Sequence, residues 1–130
     1  SACAATPCQV AAIEALEGPQ DHLKYMVEQY RLRRDYVMKR ISEIPGLSCH
    51  APAGTFYAFI DISQLGMPCE EFAMKLLEER QVVVVPGTAF GEFGEGYIRL
   101  SYATSMQCLE QGLQELEEFV RSHETKGDPA

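Results

Sequence analysis

Among the groups able to do chemistry in this chain, Arg99 has the most informative setting. It lies between Ile98 and Leu100 in the alternating run Tyr97 to Tyr102 (YIRLSY), directly after a glycine-rich segment. A guanidinium on a strand presents a planar fork of donors that matches a carboxylate, and the strand fixes where the fork points. On the residues alone two readings stand. One is an ion pair with a structural Asp or Glu, the commoner fate of such an arginine; the other is a clamp for a small carboxylate. The histidines carry less. His22, His50 and His123 fall at a helix start, a strand end and a tail, and nothing sets any of them beside a nucleophile and an acid, so a triad has no support. The carboxylates concentrate on helix faces expected to be solvated, and no acid–base pair can be singled out. Cys3, Cys8, Cys49, Cys69 and Cys108 are odd in number and unevenly spaced with no CxxC. They read as scattered reduced thiols of a cytoplasmic protein, neither a disulfide framework nor a metal site.

The segment Pro86 to Gly96 (PGTAFGEFGEG) invites comparison with a phosphate loop. A phosphate cradle requires a helix N-terminus after it, often with a lysine. Here a strand follows, and Glu92 and Glu95 lie inside the loop. The segment therefore reads as a flexible connection between strands that can border a site.

The elements that must position Arg99 follow from periodicity. Gln9 to Leu16 is an Ala-rich helix broken by Gly18-Pro19. A long helix runs from Asp21, with Leu23, Met26, Val27, Tyr30, Val37, Ile41 and Ile44 at helical spacing, and Pro45-Gly46 ends it. Arg34 interrupts that stripe and needs a partner carboxylate. Leu47 to His50 and Thr55 to Asp61 are strands, joined as a hairpin through the four residues Ala51 to Gly54. Pro68, Glu70 and Glu71 open a helix that continues through Phe72, Leu76 and Leu77, although Met67 stands where a Ser, Thr or Asp cap is usual. Val82 to Val85, four β-branched residues, read as a buried strand. The strand at Tyr97 sets Ile98, Leu100 and Tyr102 on one face and Tyr97, Arg99 and Ser101 on the other. The last helix sets Met106, Leu109, Leu113, Leu116 and Val120 in one stripe and turns Glu110, Glu115, Glu117 and Glu118 mostly to water. The tail from Ser122 is frayed. This order specifies one α+β domain: a small, mainly antiparallel sheet of three to four strands with helices packed on one face.

Composition limits the partners. The chain has 130 residues, 11 Lys plus Arg against 19 Asp plus Glu, and a formal net charge of -8. That balance repels a phosphate backbone, and no basic cluster overrides it, so nucleic acid is excluded as a partner. No apolar run approaches the ~20 residues that cross a bilayer, and no membrane partner is expected. Beginning at Ser1, the chain reads as a piece of something longer.

Several segments in this order carry a resemblance. They are Ala11 to His22, Tyr30 to Val37 (YRLRRDYV), Ile44 to Ser63 (IPGLSCHAPAGTFYAFIDIS), Val82 to Ala103 (VVVVPGTAFGEFGEGYIRLSYA) and the closing amphipathic helix. Together, from about Ala4 to Val120, they resemble the C-terminal part of the class I pyridoxal-phosphate-dependent aminotransferases of fold type I, the aspartate and aromatic aminotransferase family. The resemblance implies a homodimeric enzyme that moves an amino group between an L-amino acid, aspartate-like or aromatic, and a 2-oxo acid. It implies pyridoxal 5'-phosphate as cofactor, on a Schiff-base lysine upstream of the matched region. Lys24, Lys39, Lys75 and Lys126 have none of the Ser-x-x-Lys setting the family uses. The resemblance therefore places no catalytic, cofactor-binding or metal-binding residue in this chain, which alone has no transaminase activity.

It does give Arg99, in Arg-x-Ser-Tyr-Ala, the place of the arginine that clamps the substrate α-carboxylate. Phe56, in Gly-Thr-Phe-Tyr, falls near the substrate side chain, although burial of an aromatic on a central strand explains it equally. Residues 1–20 correspond to the end of the large-domain region and linker. Residues 21–124 correspond to the C-terminal small domain with its connecting helix, and 125–130 to a disordered tail. The partners implied are the large domain of the same polypeptide, the second subunit and the two substrates. The isolated chain, its connecting helix partly uncovered, is expected to self-associate. Two other readings remain open: a stand-alone module that binds a small carboxylate through Arg99, and an acidic interaction domain in which Arg99 is structural.

Overall fold

Two alternating strands organise the molecule, a computed structural model that describes residues 3–123. Strand β2 (Tyr57–Asp61) and strand β4 (Tyr97–Ser101) pair antiparallel, with Phe59 opposite Arg99 and Ile60 opposite Ile98. Because side chains alternate along a strand, Ala58, Ile60, Ile98 and Leu100 all point to one face, where they are buried. Tyr57, Phe59, Tyr97 and Arg99 share the other. Strand β1 (Ser48–Cys49) adds to β2 and strand β3 (Val85–Pro86) to β4, giving the order β1-β2-β4-β3, antiparallel throughout.

The buried face is covered by helices, as the hydrophobic stripes require. Helix α1 (Thr6–Glu17) buries nothing among the described residues. Helix α2 (Asp21–Glu43) buries Val37 and Ile41 in its C-terminal half, with Tyr30 packed partly against the core nearer its middle. Leu23, Met26 and Val27 in its N-terminal half stay exposed, so the helix projects beyond the domain. Helix α3 (Cys69–Arg80) contributes Phe72 and Leu76, and helix α4 (Met106–His123) contributes Leu109, Leu113, Leu116, Phe119 and Val120. Phe72 and Phe119 meet edge to face at 5.1 Å between ring centroids, the geometry that ring quadrupoles favour. The α+β architecture expected from the sequence is the one observed.

Four local expectations change. Val82 to Val85 is not a buried strand: only Val85 and Pro86 pair, Val84 is buried and Val83 is 73% exposed. An edge strand with so short a partner segment gains nothing from three further β-branched residues. The β1–β2 connection runs over residues 50–56, longer than Ala51 to Gly54, because Thr55 sits at φ 66 with its Oγ1 accepting the Tyr57 N–H. The glutamates of α4 are largely engaged. Glu117 accepts from Arg40 at 2.6 Å and from Arg121 at 2.5 Å, while Glu115 and Glu118 pair with Arg80. The Arg40 guanidinium holds the Glu117 carboxyl below the ordinary glutamate range. Helix α4 also continues through Ser122 to His123, where a frayed tail was expected, and the tail expected at 125–130 lies outside the described residues. Arg34, as expected, has a carboxylate partner, its neighbour Asp35 at 2.7 Å.

Candidate carboxylate-binding site

Arg99 stands on the uncovered face of the sheet. Its guanidinium carbon lies 4.2 Å from the centroid of the Tyr57 ring and 4.6 Å from that of Phe90. Arginine over an aromatic face is attracted by the ring quadrupole while its N–H groups remain free to bond. Among the described residues no ion pair and no hydrogen bond engages this guanidinium, so the structural ion pair that residue type alone favours is not made. Tyr57 comes from the strand on one side of β4, and Phe90 from the segment after the strand on its other side. Phe59, opposite Arg99, stacks on Tyr97 at 5.1 Å and meets Phe90 at 6.1 Å, which extends the aromatic floor.

Phe56 is not a core residue. It is 39% exposed and lies just before β2, where its ring packs 4.4 Å from Tyr57 and stacks on Tyr30 at 6.1 Å. Tyr57 thus links the two residues singled out in the sequence, touching Phe56 on one hand and Arg99 on the other. Tyr102, in the same Arg-x-Ser-Tyr segment as Arg99, ties the Phe56 end of the hairpin to β4. Its N–H donates to the Phe56 carbonyl at 2.9 Å and its hydroxyl to the Thr55 carbonyl at 3.0 Å. Burial pushes the Tyr102 hydroxyl up from the ordinary tyrosine value, in the direction that keeps it protonated. The contributions of Tyr57 and Phe90 were not assigned from sequence. The signal for Tyr57 was its place two residues from Phe59, the register partner of Arg99; Phe90 gave none, because a loop residue has no register.

The glycine-rich loop is anchored. It forms two short 3-10 turns, Gly87–Phe90 and Glu92–Gly94, whose backbones touch: a side chain on Gly87 or Gly94 would overlap the other's carbonyl oxygen. Thr88 donates to Glu70 at 3.1 Å. Glu95 accepts the Cys69 N–H at 2.9 Å and supplies the missing cap of α3 from 26 residues away. That bond, with help from the Gly96 N–H and the Cys69 thiol, holds the Glu95 carboxyl below the ordinary glutamate range. The folded state therefore favours the ionised carboxylate. Its contribution to stability is present above the ordinary glutamate value and is lost as pH falls through the lowered one. Glu95→Gln keeps an acceptor without a charge. Thermal melts at pH 7 and at about pH 3 are expected to show the gap between wild type and variant closing at the lower pH. An equal gap at both would contradict the assignment.

None of the described lysines stands free to carry pyridoxal phosphate. Lys24, Lys39 and Lys75 sit on helix surfaces, each beside a carboxylate one turn away (Asp21, Glu43 and Glu71), and Lys126 lies outside the described residues. Arg99 is left, among the described residues, as a guanidinium with no acid partner, able to pair with a small carboxylate. Among the described residues no group of three or more His, Cys, Asp or Glu could hold a metal, and no helix is long and apolar enough to cross a membrane.

Comparison with known proteins gives this geometry its family. The chain is 45% identical over 114 residues to an aspartate aminotransferase of Pyrococcus horikoshii, covering 86% of this chain and 29% of that protein. It is 40% identical over 121 residues to aromatic-amino-acid aminotransferase 2 of Thermococcus litoralis, covering 92% and 31%. The fold superposes on the alanine aminotransferase of Pyrococcus furiosus with a TM-score of 0.88 at 38% identity, over 92% of this chain and 31% of that one. The chain thus spans under a third of the length of the relatives it matches. The model for aminotransferase class I and II matches residues 1–116, and the chain belongs to that family.

Proposed function

We propose that these residues are the C-terminal small domain of a pyridoxal-phosphate-dependent aminotransferase that moves an amino group between an L-amino acid, aspartate-like or aromatic, and a 2-oxo acid. In this reading residues 1–20 end the large-domain region, α2 connects the two domains, and the enzyme is a homodimer. The observation that carries it is Arg99: a guanidinium on a strand, held by two rings and free of any acid partner among the described residues. Its coplanar N–H groups bond both oxygens of a substrate α-carboxylate, which fixes the Cα–H bond in direction and favours substrates that carry a carboxylate over amines that lack one. Phe56, exposed beside Tyr57, borders the substrate side chain. The uncovered aromatic face then meets the large domain, and closure of the small domain over the substrate excludes water. The cofactor and the lysine that carries it belong to the remainder of the full-length enzyme.

The relatives named for aspartate, aromatic amino acids and alanine span three side-chain classes, so family membership leaves the substrate to experiment. The full-length protein loaded with pyridoxal phosphate is titrated with L-aspartate, L-tyrosine and L-alanine while the cofactor absorbance is followed. Conversion to the aminated cofactor is expected with at least one of them, and the most effective names the substrate class. Failure of the protein to take up cofactor would overturn the enzymatic reading and leave a carboxylate-binding module.

A further inference from the structure

We propose that Phe90 is a positioning residue: by packing against the guanidinium it orders Arg99 for the substrate carboxylate before substrate arrives. The inference rests on the role given to Arg99 above. Three observations carry it. Arg99 lacks the acid partner that ordinarily immobilises an arginine, so its long side chain depends on the rings of Tyr57 and Phe90 for a fixed position. Phe90 is outside the hydrophobic core and 52% exposed, so burial does not account for where it sits. The loop that carries it is nevertheless pinned, by the Gly87–Gly94 approach, the Thr88–Glu70 hydrogen bond and the Glu95 cap on Cys69. A segment fixed at so many points, with a half-exposed ring at one end of its first turn, serves the placement of that ring.

A side chain ordered in advance binds its ligand more tightly, because the ordering entropy is not lost on binding. The ring is also indifferent to what the substrate carries elsewhere. Removing it weakens recognition of the carboxylate and leaves the remainder of the reaction alone. The test compares Phe90→Leu, Phe90→Tyr and Arg99→Leu in the cofactor-loaded, full-length enzyme, with the preferred L-amino acid and with the corresponding amine that lacks the carboxylate. Phe90→Leu is expected to raise KM for the amino acid about two- to fivefold with kcat within about twofold. Phe90→Tyr is expected to restore KM, and the carboxylate-free amine is expected to react at the wild-type rate. An unchanged KM in Phe90→Leu, with binding lost in Arg99→Leu, would overturn the role of Phe90 alone. So would equal slowing of amino acid and amine, the mark of a merely structural loop residue. An Arg99→Leu enzyme with unchanged KM would remove the clamp itself, and the proposal for Phe90 with it.

Discussion

Arg99→Leu in the full-length enzyme is expected to lower kcat/KM for L-amino acids by about three orders of magnitude. A charge-assisted, two-pronged pair sheltered from water leaves the remaining carboxylate unmatched when the arginine goes, at a cost of about 3–5 kcal/mol. At about 1.4 kcal/mol per decade, that is roughly a hundred- to a few thousandfold. The same substitution is expected to leave the fold nearly untouched. Arg99 has no ion pair to lose among the described residues, and the two ring contacts at a partly exposed site contribute about 1 kcal/mol or less. Steady-state kinetics and urea unfolding of the same variant check the two halves. A large loss of stability with little loss of kcat/KM would restore the structural reading of Arg99.

Phe119→Ala has the opposite profile. Phe119 is fully buried on α4, meets Phe72 edge to face and carries the His123 ring at 4.3 Å. Truncation removes the buried ring and leaves a cavity between α3 and α4, at a cost of about 3–5 kcal/mol. Against the ~5–15 kcal/mol total stability of a domain this size, that is a large fraction. Urea unfolding is expected to show a much lower midpoint with an unchanged slope. A loss under about 1 kcal/mol would mean that the α3–α4 contact is looser than the ring geometry indicates. Read together, the two variants separate the face of the sheet that holds the domain together from the face left for a ligand.

How much of this was legible in the sequence depended on range. Helix α4 was clear because its stripe repeats on a helical period over five turns, and one residue after another points inward. Strand β4 was clear because alternation places Ile98 and Leu100 against Arg99, and the register with β2 keeps that division. Val82 to Val85 misled because a run of β-branched residues reports intrinsic preference, while the length of a strand is set by the partner it finds. The cap of α3 could not be read locally at all. Met67 and Pro68 offer none, and the acceptor that replaces it, Glu95, arrives through the tertiary fold. Phe90 was hidden for the same reason, since only the closed sheet brings it to Arg99. Phe56 was legible as an aromatic on a hairpin, but not as an exposed one, because it lies at the end of the sheet, where its carbonyl still bonds Tyr102 while its ring meets Tyr57 and Tyr30 instead of the core.

The central claim is that Arg99 selects substrates by their carboxylate. The most direct measurement follows the cofactor absorbance of the full-length enzyme in a single turnover, with the preferred L-amino acid and with its carboxylate-free amine, in wild type and Arg99→Leu. The amino acid is expected to react about a thousandfold faster than the amine in wild type, and the two are expected to react at similar rates in the variant. A preference that survives unchanged in Arg99→Leu would contradict the account.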